Sequence, residues 1–172
     1  MAEPGRLRLV YSADELDVSP GWFCGHCAAG VPQGFVPAPN ARVCRRCGLG
    51  LLLETRGDGL PAPSDAFLVV DRALTVQALS DRAERLLGLS EEEAIDQPVG
   101  ELLLPAEAER ADRVALARAI METVSDGEEF AYAWVRPAST YGVRMRARIS
   151  ACGPPRAALV VLRSPGQRLR VV

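Results

Sequence analysis

The chain contains no lysine, and all 20 of its basic residues are arginine. That absence excludes a Walker-type phosphate lysine, a Schiff-base lysine and a kinase lysine. Histidine is almost as scarce, with one copy at His26. A Ser-His-Asp or Cys-His catalytic set would have to be built around that residue. No apolar run approaches the roughly 20 residues of a membrane span. The longest, "LGLLLE" and "AALVVL", are strand-sized. The opening "MAEPGRLRLVYSADELD" carries acids and lacks an apolar core, so it does not read as a secretory leader. An excess of one charge is missing too: 20 basic against 22 acidic residues leave a net charge of −2. Such a balance gives no general attraction to nucleic acid or to a membrane surface. With 48% hydrophobic and 24% charged residues, the composition is that of a globular protein. A cytoplasmic location with no membrane association is the expectation.

What is present divides by composition. Residues 1–19 are a mixed-charge lead-in. Residues 20–56 hold four of the five cysteines, with glycine and proline around them. "GDGLPAPS", residues 57–64, reads as a linker of turn formers. Residues 65–164 carry strand and helix patterns, and 165–172 form a short tail.

The cysteines are paired. Cys24-x2-Cys27 is followed by sixteen residues and then by Cys44-x2-Cys47. A tetrahedral ion with sulfurs at about 2.3 Å needs two pairs of thiolates, each from one tight turn. The spacing fits a four-cysteine zinc site. Gly25 and Gly48 suit such turns because glycine tolerates positive φ. The intervening "AAGVPQGFVPAPNARV" is expected to form a β-hairpin arm. Residues 20–56 resemble a zinc ribbon, or zinc knuckle pair, with Cys24, Cys27, Cys44 and Cys47 as ligands. A disulfide framework fits poorly with an odd cysteine count in a cytoplasmic chain. A thioredoxin-like CxxC should follow a strand and open a helix. Rubredoxin-type iron at four thiolates is chemically allowed, but the loop is shorter than that family's, and the spacing favours zinc. Four cysteines close the shell, so the metal is structural and His26 is expected to face solvent. Arg45 and Arg46 hold the matching place in the second knuckle, where they would be solvated or touch an anionic partner. Cys152 is either a reactive thiol or a small apolar filler.

After residue 65 the pattern is strand ("AFLVVD"), strand ("LTVQAL"), then helix 81–89 opened by Ser80. Next comes a short acidic helix with a Ser90…Glu93 capping box. A longer helix over 106–124 is expected to bury Val114, Ala117, Met121 and Val124. Three strands follow: "FAYAWV", "VRMRARIS" and "RAALVVL". In the first, Phe130, Tyr132 and Trp134 alternate with smaller residues. In the second, Arg144, Arg146 and Arg148 alternate with apolar ones, so each strand has one buried face. The order argues an α+β fold with an antiparallel sheet covered by helices on one face. The carboxylates of "SEEEAID" read as a solvated helix face. No acid, base and nucleophile are grouped, so no catalytic residue is assigned and no enzyme is expected.

Residues 65–164 resemble a PAS domain. The residues carrying the resemblance are Ser80, Ala83, Leu86, Leu87, Gly88, Ser90 and Glu92-Glu93, with "LLPAEAERA" where a histidine-aspartate segment often stands. The resemblance implies a five-stranded antiparallel sheet of order 2-1-5-4-3, helices around a small apolar pocket, and a sensory or interaction role. It leaves room for an unidentified small-molecule ligand, lined by Trp134, Tyr132, Met145 and Met121 where those residues do not simply fill the core. The flavin-photosensor cysteine is missing from "LSDRAERLL", Cys152 falls in a hairpin turn, and no histidine lies beyond residue 65. Neither flavin nor haem is expected.

The reading is therefore a signalling or regulatory protein: a PAS-type sensor or interaction module with a structural zinc ribbon. A homodimer is expected, because PAS sheets commonly pair. With only "PGQRLRVV" after residue 164, a signal is expected to leave by contact with a signalling partner. The alternative is a nucleic-acid-binding transcriptional regulator that reads through the ribbon and dimerises through the PAS domain.

Overall fold

The computed structural model describes residues 19–32, 34–40, 42–106, 110–127, 129–140 and 142–164. Most of the lead-in, the tail 165–172 and the first turn of the expected 106–124 helix lie outside the described residues.

Two strands come first, β1 (Pro20–Cys24) and β2 (Leu52–Arg56), followed by a 3-10 turn at Gly57–Gly59 within the expected linker. Then come β3 (Ala66–Val70), β4 (Val76–Leu79), α1 (Asp81–Leu87), α2 (Glu91–Ala94), α3 (Val99–Leu102), β5 (Leu103–Pro105) and α4 (Arg110–Asp126). The chain ends in β6 (Ala131–Pro137), β7 (Met145–Gly153) and β8 (Ala157–Arg163). Local chemistry explains the helix starts. The Ser80 hydroxyl accepts the Ala83 N–H, and Ser90 and Glu93 form the reciprocal capping box. Gly88 closes α1 in the left-handed conformation, at φ 71°.

The antiparallel order β4-β3-β8-β7-β6 is the expected 2-1-5-4-3 sheet. Two additions extend it. β5 pairs with the free edge of β6, through Leu103↔Pro137 to Pro105↔Val135. β7 is long enough to serve two neighbours on one edge. Its first half pairs with β6, and its end, Cys152 and Gly153, pairs with Thr55 and Glu54 of β2. Cys152 thus sits inside β7, not in the hairpin turn expected for it.

Both faces of the sheet are covered. On the inner face, Leu68, Val70, Val135, Ile149 and Val160 pack with Leu87, Val99, Leu116 and Ile120 from the helices. The buried side of α4 holds Leu116, Ile120, Thr123 and Val124, while Met121 is 52% exposed. Of the expected stripe, Val124 is buried and Ala117 half-buried, Met121 is turned outward, and the side chain of Val114 lies outside the described residues; packing, rather than the spacing of apolar letters alone, selects the face. On the outer face, Phe67, Val69, Leu159 and Val161 are buried beneath Phe23, Ala28 and Leu53. Each fully buried large apolar side chain contributes about 1.5–3 kcal/mol, so this second layer is a substantial part of the core. Among the described residues no helix is long and apolar enough to cross a membrane.

Candidate metal centre and the seam it anchors

β-strand alternation sorts the first residues of the ribbon. Along β1, Trp22 and Cys24 point one way and Phe23 the other. Trp22 and Cys24 join Cys44 and Leu52 in a small cluster with Cys27, Ala29 and Val31. Phe23 instead meets Phe67 of β3 edge to face, with ring centroids 5.8 Å apart and planes at 80°. One strand therefore builds the cysteine site with one face and docks on the sheet with the other.

The two knuckles repeat a backbone pattern. Ala28 N–H donates to Cys24 O at 3.1 Å, and Gly48 N–H to Cys44 O at 2.8 Å. Cys24 N–H donates to Ala29 O, and Cys44 N–H to Gly50 O. The residue after the second cysteine is left-handed in both, with φ 58° at Ala28 and φ 72° at Gly48. Gly48 meets the expectation for a positive φ; in the first knuckle Ala28 takes that conformation. Gly25 has no positive φ; it packs beside Ala78 of β4, where a Cβ would meet Ala78 Cβ at an ordinary 3.4 Å.

The four sulfurs lie within 4.8 Å of one another. Cys24 and Cys47 sulfurs are 3.6 Å apart, and those of Cys27 and Cys44 are 3.9 Å apart. Sulfurs at about 2.3 Å from a tetrahedral ion sit about 3.8 Å from each other. The donor set therefore fits a thiolate-bound metal, and these cysteines could bind one. Backbone N–H groups of His26 and Cys27 point at the Cys24 sulfur, and that of Gly50 at the Cys47 sulfur, at 3.4–3.5 Å. Burial pushes the Cys24 thiol up. For Cys47, burial acts upward too but is outweighed by N–H groups of Gly50 and Leu49 and by the neighbouring thiols, bringing it down to about 6. Among the described residues this is the one grouping of three or more such side chains able to share an ion. The intervening segment 28–43 forms only isolated bridges, Phe23↔Gly30 and Val43↔Leu51. The expected hairpin arm is absent among the described residues, and β1 and β2, outside the knuckles, make the ribbon's strand pair.

Gly50 is tied to the site by lack of space. A Cβ at this position would fall 2.4 Å from the Cys24 sulfur and 2.8 Å from His26 Cβ. Gly50→Ala is expected to weaken metal retention by about 10–100-fold, the range for changes that disturb ligand placement. Competition against a chromophoric chelator measures it; wild-type release rates would contradict the packing argument.

His26 does not face solvent as expected. Its Nδ1 lies 3.1 Å from Glu91 Oε2, and its side chain is 16% exposed. Its carbonyl accepts the Asp81 N–H at 3.2 Å. Glu91 is likewise not a solvated carboxylate: Oε1 accepts the Leu79 N–H at 3.0 Å. The first knuckle is thus latched to the starts of α1 and α2, which the sequence analysis missed because the contact spans 65 residues. Glu91→Ala strands the Leu79 N–H and frees His26. A loss of about 1–3 kcal/mol is expected, read by chemical denaturation. Arg45 and Arg46 are exposed, as expected. Cys152 is a buried filler whose thiol burial pushes up to about 12.

The ligand-lining residues divide differently. Met145 is buried in the inner core, whereas Tyr132 and Trp134 are 50% and 40% exposed. On β6 it is Ala133 and Val135 that face the helices, with α4 packed against this strand. A cleft of ≈ 830 Å³ instead lies at the seam, floored by Leu53, Val69, Ala78 and Ala157.

A family profile described as "PAS fold" matches residues 62–163. Among solved structures, the PAS domain of a protein from Colwellia psychrerythraea is 20% identical, with TM-score 0.47 over 60% of this chain and 88% of that one. The PAS domain of nitrogen regulation protein NR(II) from Vibrio parahaemolyticus is 18% identical, with TM-score 0.45 over 59% and 89%. The PAS domain of the quorum-sensing receptor RpfR from Cronobacter turicensis, solved in complex with BDSF, is 16% identical, with TM-score 0.48 over 62% and 98%. No curated protein matches the chain. The profile spans more than half of the 172 residues, and the chain belongs to the PAS fold family.

Proposed function

We propose that the protein is a non-catalytic, cytoplasmic regulatory module: a PAS sensor or interaction domain whose ribbon is held by one structural zinc ion at Cys24, Cys27, Cys44 and Cys47. The observation that carries the reading is the two-faced β1 strand. The residues that close the cysteine cluster also place Phe23 and Leu53 on the outer face of the sheet. A closed four-thiolate shell offers no open position, so the ion shapes the protein and takes no substrate. Residues 20–56 are too few to bury a sufficient core alone; metal and sheet share that task.

The seam cleft is the place for a small effector. Between the sheet and its helices, Ile120, Val135, Ile149 and Val160 are fully buried and fill the interior. An effector at the seam would touch both Leu51 beside the second knuckle and Val69 of β3, coupling its presence to how the ribbon sits. Self-association into a homodimer is part of the proposal, through surface the ribbon leaves uncovered.

Elemental analysis should find close to one zinc per chain, and native mass spectrometry of freshly purified protein should find a retained small molecule or a dimer. Iron in place of zinc would change the metal assignment. A folded, metal-free protein with intact thiols would overturn the ribbon.

A further inference from the structure

We propose that the exposed face of β6 and β7 docks an acidic segment of a partner protein. The inference rests on the reading of this chain as an interaction module and names the chemistry of its partner.

The face is built by alternation. With Ala131, Ala133 and Val135 turned to the core, β6 presents Tyr132 and Trp134 outward; β7 presents Arg146 and Arg148, and Arg144 stands just before its first residue. The guanidinium carbons of Arg144 and Arg146 lie 4.3 Å and 4.1 Å from the ring centres of Trp134 and Tyr132. Arg148 repeats the step over Phe130 at 5.0 Å. Arg146 and Arg148 each stack on the ring two residues away from their direct cross-strand partners, Trp134 and Tyr132, as sheet twist favours for long side chains.

The row is closed at one end and open at the other. Arg148 is held inward, donating to the carbonyls of Asp58 and Gly59 at 2.9 Å. Tyr132 and Trp134 stand 50% and 40% exposed. The chain has two tryptophans and three tyrosines, so placing one of each in water on one face is a sizeable share of its large aromatics. Tryptophan, tyrosine and arginine are the residues enriched at interface hot spots. Stacking fixes the guanidinium planes beforehand, so less side-chain freedom is lost on binding.

The charge selects the partner. Outward positions of these two strands that the ribbon leaves uncovered carry arginine or an aromatic ring and no carboxylate, whereas Ser150 and Cys152 farther along β7 are buried; Arg163 of β8 lies opposite Arg146. A second copy docked through this face about a two-fold axis would set guanidinium row against guanidinium row. A carboxylate-bearing segment with apolar side chains complements both components. A nucleic acid fits less well. It carries a charge about every 1.7 Å along a duplex and extends past a local patch, whereas the whole chain is at −2. The stacked guanidiniums also occupy ring surface that bases would use.

The test uses the full chain and a fluorescent peptide of repeated Glu-Glu-Phe-Leu units, followed by anisotropy. Binding that weakens with salt and falls about tenfold in Arg146→Glu and in Trp134→Ala is expected, on the scale of one interface hot spot. Zinc content and thermal midpoint of the variants report that the fold is intact. The proposal is overturned by equal binding of a Lys-Lys-Phe-Leu peptide. It is overturned by loss of binding in Arg45→Gln rather than in Arg146→Glu, which moves the site to the ribbon. Tighter, Arg146-dependent binding of a single-stranded oligonucleotide would replace the acidic protein with nucleic acid. Self-association abolished by Arg146→Glu would replace it with a second copy. None of these outcomes alters zinc stoichiometry or ligand retention, by which the module reading stands or falls.

Discussion

Cys44→Ser, or treatment with a strong zinc chelator, is expected to release the ribbon while leaving the inner core of the sheet folded. Structural zinc in small ribbons is worth about 10–16 kcal/mol of apparent binding free energy, comparable to the whole stability of a domain at about 5–15 kcal/mol. Without the ion, Cys24, Cys27, Cys44 and Cys47 hold four sulfurs within 4.8 Å with no bond among them. The loss falls unevenly. β1 and β2 depend on the site, on Phe23 and Leu53 packed against the outer face, and on a two-residue pairing with β7. β3 and β8 share a five-residue ladder and a separate helix-side core. Hydrogen exchange should lose protection at residues 20–24 and 52–56 and keep it at 66–70 and 157–163. Exposure of Phe67, Val69, Leu159 and Val161 should raise binding of an apolar dye. Unchanged protection in β1 after verified zinc removal would mean that packing alone holds the ribbon.

Phe23→Ala separates docking from metal binding. The ring is fully buried, stacked edge to face on Phe67, and points away from the cysteines. Deleting it should cost about 3–5 kcal/mol, as for other buried phenylalanines. At about 2–4 °C per kcal/mol in a chain of this size, the thermal midpoint should fall by roughly 6–20 °C. Zinc content should remain near one per chain, because Trp22 and Cys24 lie on the opposite side of the strand. Loss of zinc together with stability would show that the knuckles form only on the sheet. A shift below about 2 °C would show that the seam contributes little.

The succession of strands and helices was legible because its signals are local; the sheet order followed from the resemblance to PAS domains. Ser80 and Ser90 cap helices within three residues, and the alternation in residues 143–150 needs no distant partner. The cysteine cluster was legible because two CxxC knuckles and their spacing are a local pattern that could share one ion. What escaped was every contact between the two regions. Alternation shows that Tyr132 and Ala133 face opposite ways, but not which way is in; the proximity of α4 decides that. Trp22 and Phe23 are adjacent aromatics, and nothing near them in sequence says that one serves the knuckles and the other Phe67. His26 looked solvent-facing because its partner, Glu91, sits on a helix that appears solvated when taken alone.

The pairing of β2 with β7 also orders events in time. Thr55 donates to the carbonyl of Ala151, 96 residues downstream. On a ribosome adding about 5–20 residues per second, the ribbon emerges roughly 5–20 s before the strand it must join. During that interval the knuckles could close on a metal ion, since all four cysteines are already made, but Phe23 has no sheet to rest on. Metal capture and the β1–β2 pairing are closures open to the nascent ribbon, and docking waits for β7 and β8.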